Sequence, residues 1–180
     1  MNYYGGKELA ESFRTVRKNT LAIAQDIPAD KYSFRPAPDT RSVAELLTHI
    51  ALTYTFPYQV HAVEHRATLR GFDFPSLMGR MKAEEQKTRS KDEILELLRG
   101  EGDKWADWLQ SVSEEFLGEQ VQLPEGAVPA SKSRFEMVLS VKEHEMHHRG
   151  QLMLIERILG IVPHLTRAMQ ARFASAAAKN

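Results

Sequence analysis

Apolar positions recur along most of this chain with the period of an α-helix. Leu9, Phe13, Val16, Ile23 and Ile27 fall at helical spacings and line one face, and Pro28 stops the segment. A connector from Pro28 to Arg41, with Pro36 and Pro38, leads to Ser42, which stands three residues before Glu45. That spacing lets each side chain satisfy a backbone donor at a helix start, so a second helix is predicted from Val43. Its inward stripe reads Leu46, His49, Ile50, Thr53, Phe56 and Val60, and Pro57 is expected to kink it about two turns beyond His49. The same serine–glutamate spacing recurs at Ser90 and Glu93, opening a third helix through Ile94, Leu97, Leu98, Trp105, Trp108, Leu109 and Val112, weakened near Gly100 and Gly102. Residues 76–88 suggest a shorter leading helix. A second connector, Glu114 to Lys132, reaches a third such pair at Ser133 and Glu136, and helix four runs to about Leu159, where Gly160 and Pro163 end it.

No segment alternates apolar and polar residues long enough to predict a strand. The expected architecture is all-α, a four-helix bundle with long crossover connections, forming one domain over 1–180 with a basic, alanine-rich tail at about 164–180.

Composition narrows the chemistry. Lys plus Arg equals Asp plus Glu at 24 each, so no net field draws the chain to nucleic acid or an anionic membrane. No run of roughly 20 apolar residues suggests a membrane span, and the N-terminus is polar, which predicts a soluble, cytoplasmic protein. With no cysteine, disulfides, thiolate metal ligands and a cysteine nucleophile are all excluded. Any thiol chemistry must use a thiol brought by a substrate.

The histidines carry the remaining signal. Helix four presents Met137, Val141, His144, His148, Leu152, Ile155 and Leu159 as one seam. Residues four apart differ by about 40° around a helix and about 6 Å along it, so two imidazoles can converge on one ion. His49 supplies a third nitrogen from a neighbouring helix, and Glu45, one turn earlier, is a candidate to orient it. His61 and His65 lie about 120° and 160° around a straight helix from His49 and are expected at the surface or a subunit contact. His147 points away from the seam and suits a hydrogen-bonding role beside the site, and His164 is expected in a loop. The ordinary alternative for any one inward histidine is a hydrogen-bonded core residue; three on converging faces favour a shared cation.

The letters His144, Glu145, Met146, His147 and His148 also match the H-E-x-x-H signature of zinc peptidases, in which the glutamate is the general base. Neither branch of those enzymes finds its third ligand here. Arg157 to Asn180 contains no acid, Glu156 is only two turns away, and Gln151 and Leu154 stand where glycine and histidine are required.

Two stretches, FRPAPDTRSVAELLTHI over 34–50 and HEMHHRGQL over 144–152, give the chain a resemblance to the DinB-like (DinB/YfiT-like) metal-binding four-helix bundles. The resemblance implies that His49, His144 and His148 bind a divalent transition metal, zinc or nickel first and iron as a further option. It also implies that Gly150 permits close helix approach and that the protein is a homodimer. Relatives include thiol S-transferases and isomerases using low-molecular-weight thiols, so the expected partners are a small-molecule thiol and an electrophile. A thiol held as thiolate by the cation would attack the electrophile. A non-enzymatic metal-binding bundle and a hydrolase using metal-bound water are the competing readings. The family's name derives from DNA-damage induction and is no evidence of DNA binding.

Overall fold

In the computed structural model, residues 4–177 are described; the tail's last three residues lie outside them. Helix α1 spans Gly6–Asp26, α2 Val43–Leu52, α3 Thr55–Tyr58, α4 Phe74–Glu85, α5 Lys91–Ser111, α6 Glu114–Gly118, α7 Arg134–Ile158 and α8 His164–Ala177. The bundle is built from α1, α2, α5 and α7: α1 packs most closely on α5, α2 on α5, and both α1 and α2 on α7. All three serine–glutamate pairs form reciprocal caps at the starts of α2, α5 and α7. These bonds lie within four residues of sequence, so they could be read before any tertiary contact was known.

Two apolar clusters fill the bundle. One gathers Ile23, Leu47, Ile50, Ile94, Leu98, Leu152 and Ile155, the other Leu9, Phe13, Tyr54, Trp105, Leu109 and Val141. Arg17 and Glu145, both buried, meet between them. The guanidinium Nη2 and Nε donate to both oxygens of Glu145 at 2.9–3.1 Å, and Nη1 donates to the Leu98 carbonyl at 2.5 Å. Gly102 makes room for this side chain: a Cβ there would lie 2.8 Å from Arg17 Nη1. The helix α5 therefore runs unbroken through Gly100 and Gly102, and the second glycine is a packing requirement.

The second helix departs from expectation. It ends at Leu52, a turn at Thr53 and Tyr54 follows, and α3 carries Pro57 into a widened turn over Gln59–Val63 that is closed by Glu64 N–H to the Gln59 carbonyl at 2.9 Å. The missing proline donor is thus accommodated by a break before it rather than a bend around it. The break at Thr53 and Tyr54 interrupts the helical phase, and His61 itself lies within the widened turn, which corrects its placement. It is fully buried, with Nδ1 2.8 Å from Arg134 Nη1, while His65 is exposed as expected.

Three further corrections concern the second connector, α7 and the C-terminal segment. Gln120–Gln122 and Ser131–Ser133 pair as a two-stranded antiparallel ribbon, with Val121 opposite Lys132. Each strand is three residues long, too short to show alternation. A Cβ on Gly150 would meet nothing within 4 Å among the described residues, so within the chain that glycine serves no close helix approach. Close approach occurs at Gly6, where a Cβ would lie 2.4 Å from the Leu109 carbonyl oxygen. His164 begins α8 rather than sitting in a loop, and its Nε2 lies 3.2 Å from Asn19 Oδ1. Gly160 adopts the expected left-handed stop at φ 78°.

Glu156, near the end of α7, is fully buried, and neither of its carboxylate oxygens meets a donor among the described residues. Burial, helped by the nearby Asp26 carboxylate, pushes its pKa up to about 7. A carboxyl raised in this way stabilises the fold while protonated. Its contribution is full below the ordinary value of 4.5 and is lost as pH rises through about 7. Glu156→Gln should therefore remove a decline in stability between pH 5 and pH 8, measured by denaturant unfolding across that range. A variant whose profile falls in parallel with the wild type would refute this assignment. Among the described residues, no helix is long and apolar enough to cross a membrane.

Candidate metal centre

The cap at Ser42 fixes the phase of α2, burying Thr48 and Ile50 and leaving His49 half-buried between them, turned toward α7. On α7 the uninterrupted helical period brings His144 and His148 to the same point. His144 Nε2 lies 2.9 Å from His49 Nε2 and 2.6 Å from His148 Nε2, and one nitrogen from each ring falls within 4.8 Å of the others. The three residues selected from sequence are thus brought together, from two helices.

The outer nitrogens of two rings are engaged. His49 Nδ1 donates to Glu85 Oε1 at 2.6 Å, and His148 Nδ1 donates to Gln151 Oε1 at 2.8 Å. An imidazole that donates from Nδ1 while neutral carries its lone pair on Nε2. Two lone pairs therefore aim at His144 Nε2, and that nitrogen can donate at most one hydrogen. The arrangement is unsatisfied as a hydrogen-bond cluster and suited to a cation. Burial pushes the His144 pKa down to about 4, and the neighbouring His148 and His49 add to the effect. Burial likewise lowers His148, against the raising influence of Gln151. Neutral rings near pH 7 are what metal ligation needs. Three imidazole nitrogens, two of them with a carboxylate or amide partner behind the ring, fit a divalent transition metal, and as ligands they would carry no charge to offset that of the ion.

Glu85, the last residue of α4, is the side chain that the sequence did not reveal. Burial alone would raise its carboxyl, but hydrogen bonds from His49 and Arg41 outweigh this and hold it below the usual range. Arg41 Nε donates to Glu85 Oε2 at 2.8 Å, so one carboxylate links the connector, α2 and α4. Glu45, expected in this role, is engaged elsewhere: Oε1 accepts from Arg35 and Oε2 from the Ser42 backbone N–H. His147 is exposed and lies 3.3 Å from Gln151 Nε2, consistent with a hydrogen-bonding place beside the cluster. Glu145 is turned about 60–100° around α7 from the two histidines and is buried in an ion pair with Arg17, so it cannot serve as the base that the peptidase-like letters would require.

If Glu85 orients His49 for a metal, Glu85→Ala should lower metal affinity by about 10- to 100-fold, read by competition with a chelating dye. Unchanged affinity would show that the carboxylate serves only to tie the connector down.

Fold and site together define a helical bundle with a three-imidazole cluster that could hold a divalent metal ion. A family model described as the DinB superfamily matches residues 12–152, and the chain belongs to that superfamily. It is 25% identical over 153 residues to the uncharacterized protein YjoA of Bacillus subtilis (strain 168), covering 85% of this chain and 90% of the relative. The crystal structure of the DinB-like YjoA from Bacillus subtilis superposes with a TM-score of 0.63 at 22% identity, covering 85% of this chain and 92% of that one, which supports the fold. Helix α8 lies beyond the matched residues.

Proposed function

We propose that this protein is a metal-dependent transferase that joins a low-molecular-weight thiol to a small electrophilic molecule. The observation that carries the reading is the convergence of three imidazoles, two of them oriented by Glu85 and Gln151. His49, His144 and His148 would hold the ion, and three protein donors leave coordination open toward solvent and substrate. A divalent cation there supplies Lewis acidity, lowering the pKa of a coordinating thiol so that it reacts as thiolate at neutral pH.

The chain's own part is positional. Glu85 holds the Nδ1 proton of His49, and Gln151 holds that of His148, so both rings keep their lone pairs inward. Arg41 fixes Glu85 in turn. The thiol proton leaves to solvent, the sulfur–carbon bond forms on the electrophile, and its leaving group departs with the displaced electron pair. The chain has no cysteine, so the reacting thiol comes only from the substrate.

Metal analysis of protein purified without an affinity tag or added metal, followed by assays with a panel of thiols and electrophiles, tests the reading. Turnover that requires both metal and thiol supports it. Turnover without any thiol would replace it with hydrolysis, and full metal with no turnover would leave a binding module.

A further inference from the structure

A cleft of about 560 Å3 opens beside His148, between the connector carrying Arg35 and Arg41 and the last turns of α7. The volume lies within the range of small-molecule sites. Its two ends differ in chemistry. At the histidine end stands Arg41, whose Nε is bound to Glu85, while among the described residues its Nη groups make no hydrogen bond. Arg35 is engaged by Glu45 and by the Thr40 carbonyl. Away from the histidines the wall is apolar, formed by Leu46, Ile155, Leu154 and Ile158. Leu154 and Ile158 are 60% and 54% exposed, among the most exposed large apolar side chains described, and they sit in a concave wall. The cleft's carboxylates are Glu45, held by Arg35 and Ser42, and Asp39, exposed on the connector. A bound divalent ion with three neutral ligands would make the histidine end cationic overall.

We infer that the cleft receives an amphipathic monoanion, its carboxylate or similar head paired with Arg41 beside the histidines and its apolar body covering Leu154 and Ile158. This deepens the proposed function by naming the class of its electrophilic substrate, and it rests on that reading for the reaction but not for the binding. The free Nη groups of Arg41 give the planar donor pair that a carboxylate matches. The exposed wall supplies the apolar area whose removal from water drives binding of the tail.

The test uses the full chain loaded with cobalt(II), with butanoate, octanoate and octanol as probes in isothermal titration calorimetry. Each fully buried methylene contributes about fourfold in affinity, and the wall is open on one side, so octanoate should bind about tenfold or more tighter than butanoate. Octanoate should also bind about tenfold tighter than octanol. The double variant Leu154→Gln, Ile158→Gln alters exposed side chains only and should abolish the chain-length advantage while leaving butanoate unchanged. Arg41→Gln should abolish the advantage of octanoate over octanol at equal cobalt content. Equal binding of butanoate and octanoate, or a chain-length advantage that survives the double variant, overturns the inference, as does an octanoate preference that survives Arg41→Gln. Failure of the protein to take up cobalt would overturn the metal reading instead, and octanoate binding by the metal-free chain would then still support the cleft.

Discussion

Glu145→Ala should destabilise the protein by about 3–5 kcal/mol, because it leaves the Arg17 guanidinium buried between two apolar clusters without its counter-charge. For a chain of this length that corresponds to a fall in melting temperature of about 10 °C. The remaining acceptors for Arg17 are backbone carbonyls, that of Leu98 at 2.5 Å and that of Ile50 at 3.4 Å, and neither offsets a full charge. Replacing both partners tells a different story. Arg17→Met with Glu145→Leu removes two desolvated charges together, and its stability should lie within about 1 kcal/mol of the wild type. The single variants Arg17→Met and Glu145→Leu and the double variant form a cycle whose coupling isolates the pair. Additive losses would show that the two side chains act independently. The same experiment separates this structure from the peptidase-like reading of the letters around Glu145, which predicts lost activity with little change in stability.

How far the sequence reached depends on how local each determinant is. The starts of α2, α5 and α7 were legible because a serine and a glutamate three residues apart settle them within one turn. The meeting of His144 and His148 was legible because α7 is a single unbroken helix, so the phase counted along the sequence is the phase in space. The same counting failed at His61, because the turn at Thr53 and Tyr54 lies between it and His49 and His61 itself sits within the widened turn over Gln59–Val63. Phase does not survive a break in the helix. Glu85 was not legible for another reason: it reaches His49 from 36 residues away, at the polar end of α4, where Glu84 beside it looks the same in sequence and pairs with Lys87 and Arg89 instead. The short ribbon at Val121 left no pattern to read, because its single buried residue is indistinguishable from a loop anchor.

His144→Ala should remove the metal. Its Nε2 is the only one of the three that lies within hydrogen-bonding reach of both others, at 2.9 and 2.6 Å, so the remaining pair would have to close on an ion across the gap it leaves. Loss of a partner behind a ligand already lowers affinity by about 10- to 100-fold, so loss of the central ligand should exceed the upper figure. Protein purified without an affinity tag should carry about one divalent ion per chain, and the variant should carry none after the same dialysis. Stability should follow the same course. An ion present at about a hundredfold its dissociation constant stabilises the fold by about 2.7 kcal/mol, and that increment should vanish in the variant while its metal-free stability matches that of the metal-free wild type. His61→Ala supplies the contrast. That ring is fully buried against Arg134 and away from the cluster, so its loss should lower stability and leave metal content unchanged. Equal metal in wild type and His144→Ala would mean that the three nitrogens meet without serving as ligands, and the cation would have to be sought elsewhere in the chain.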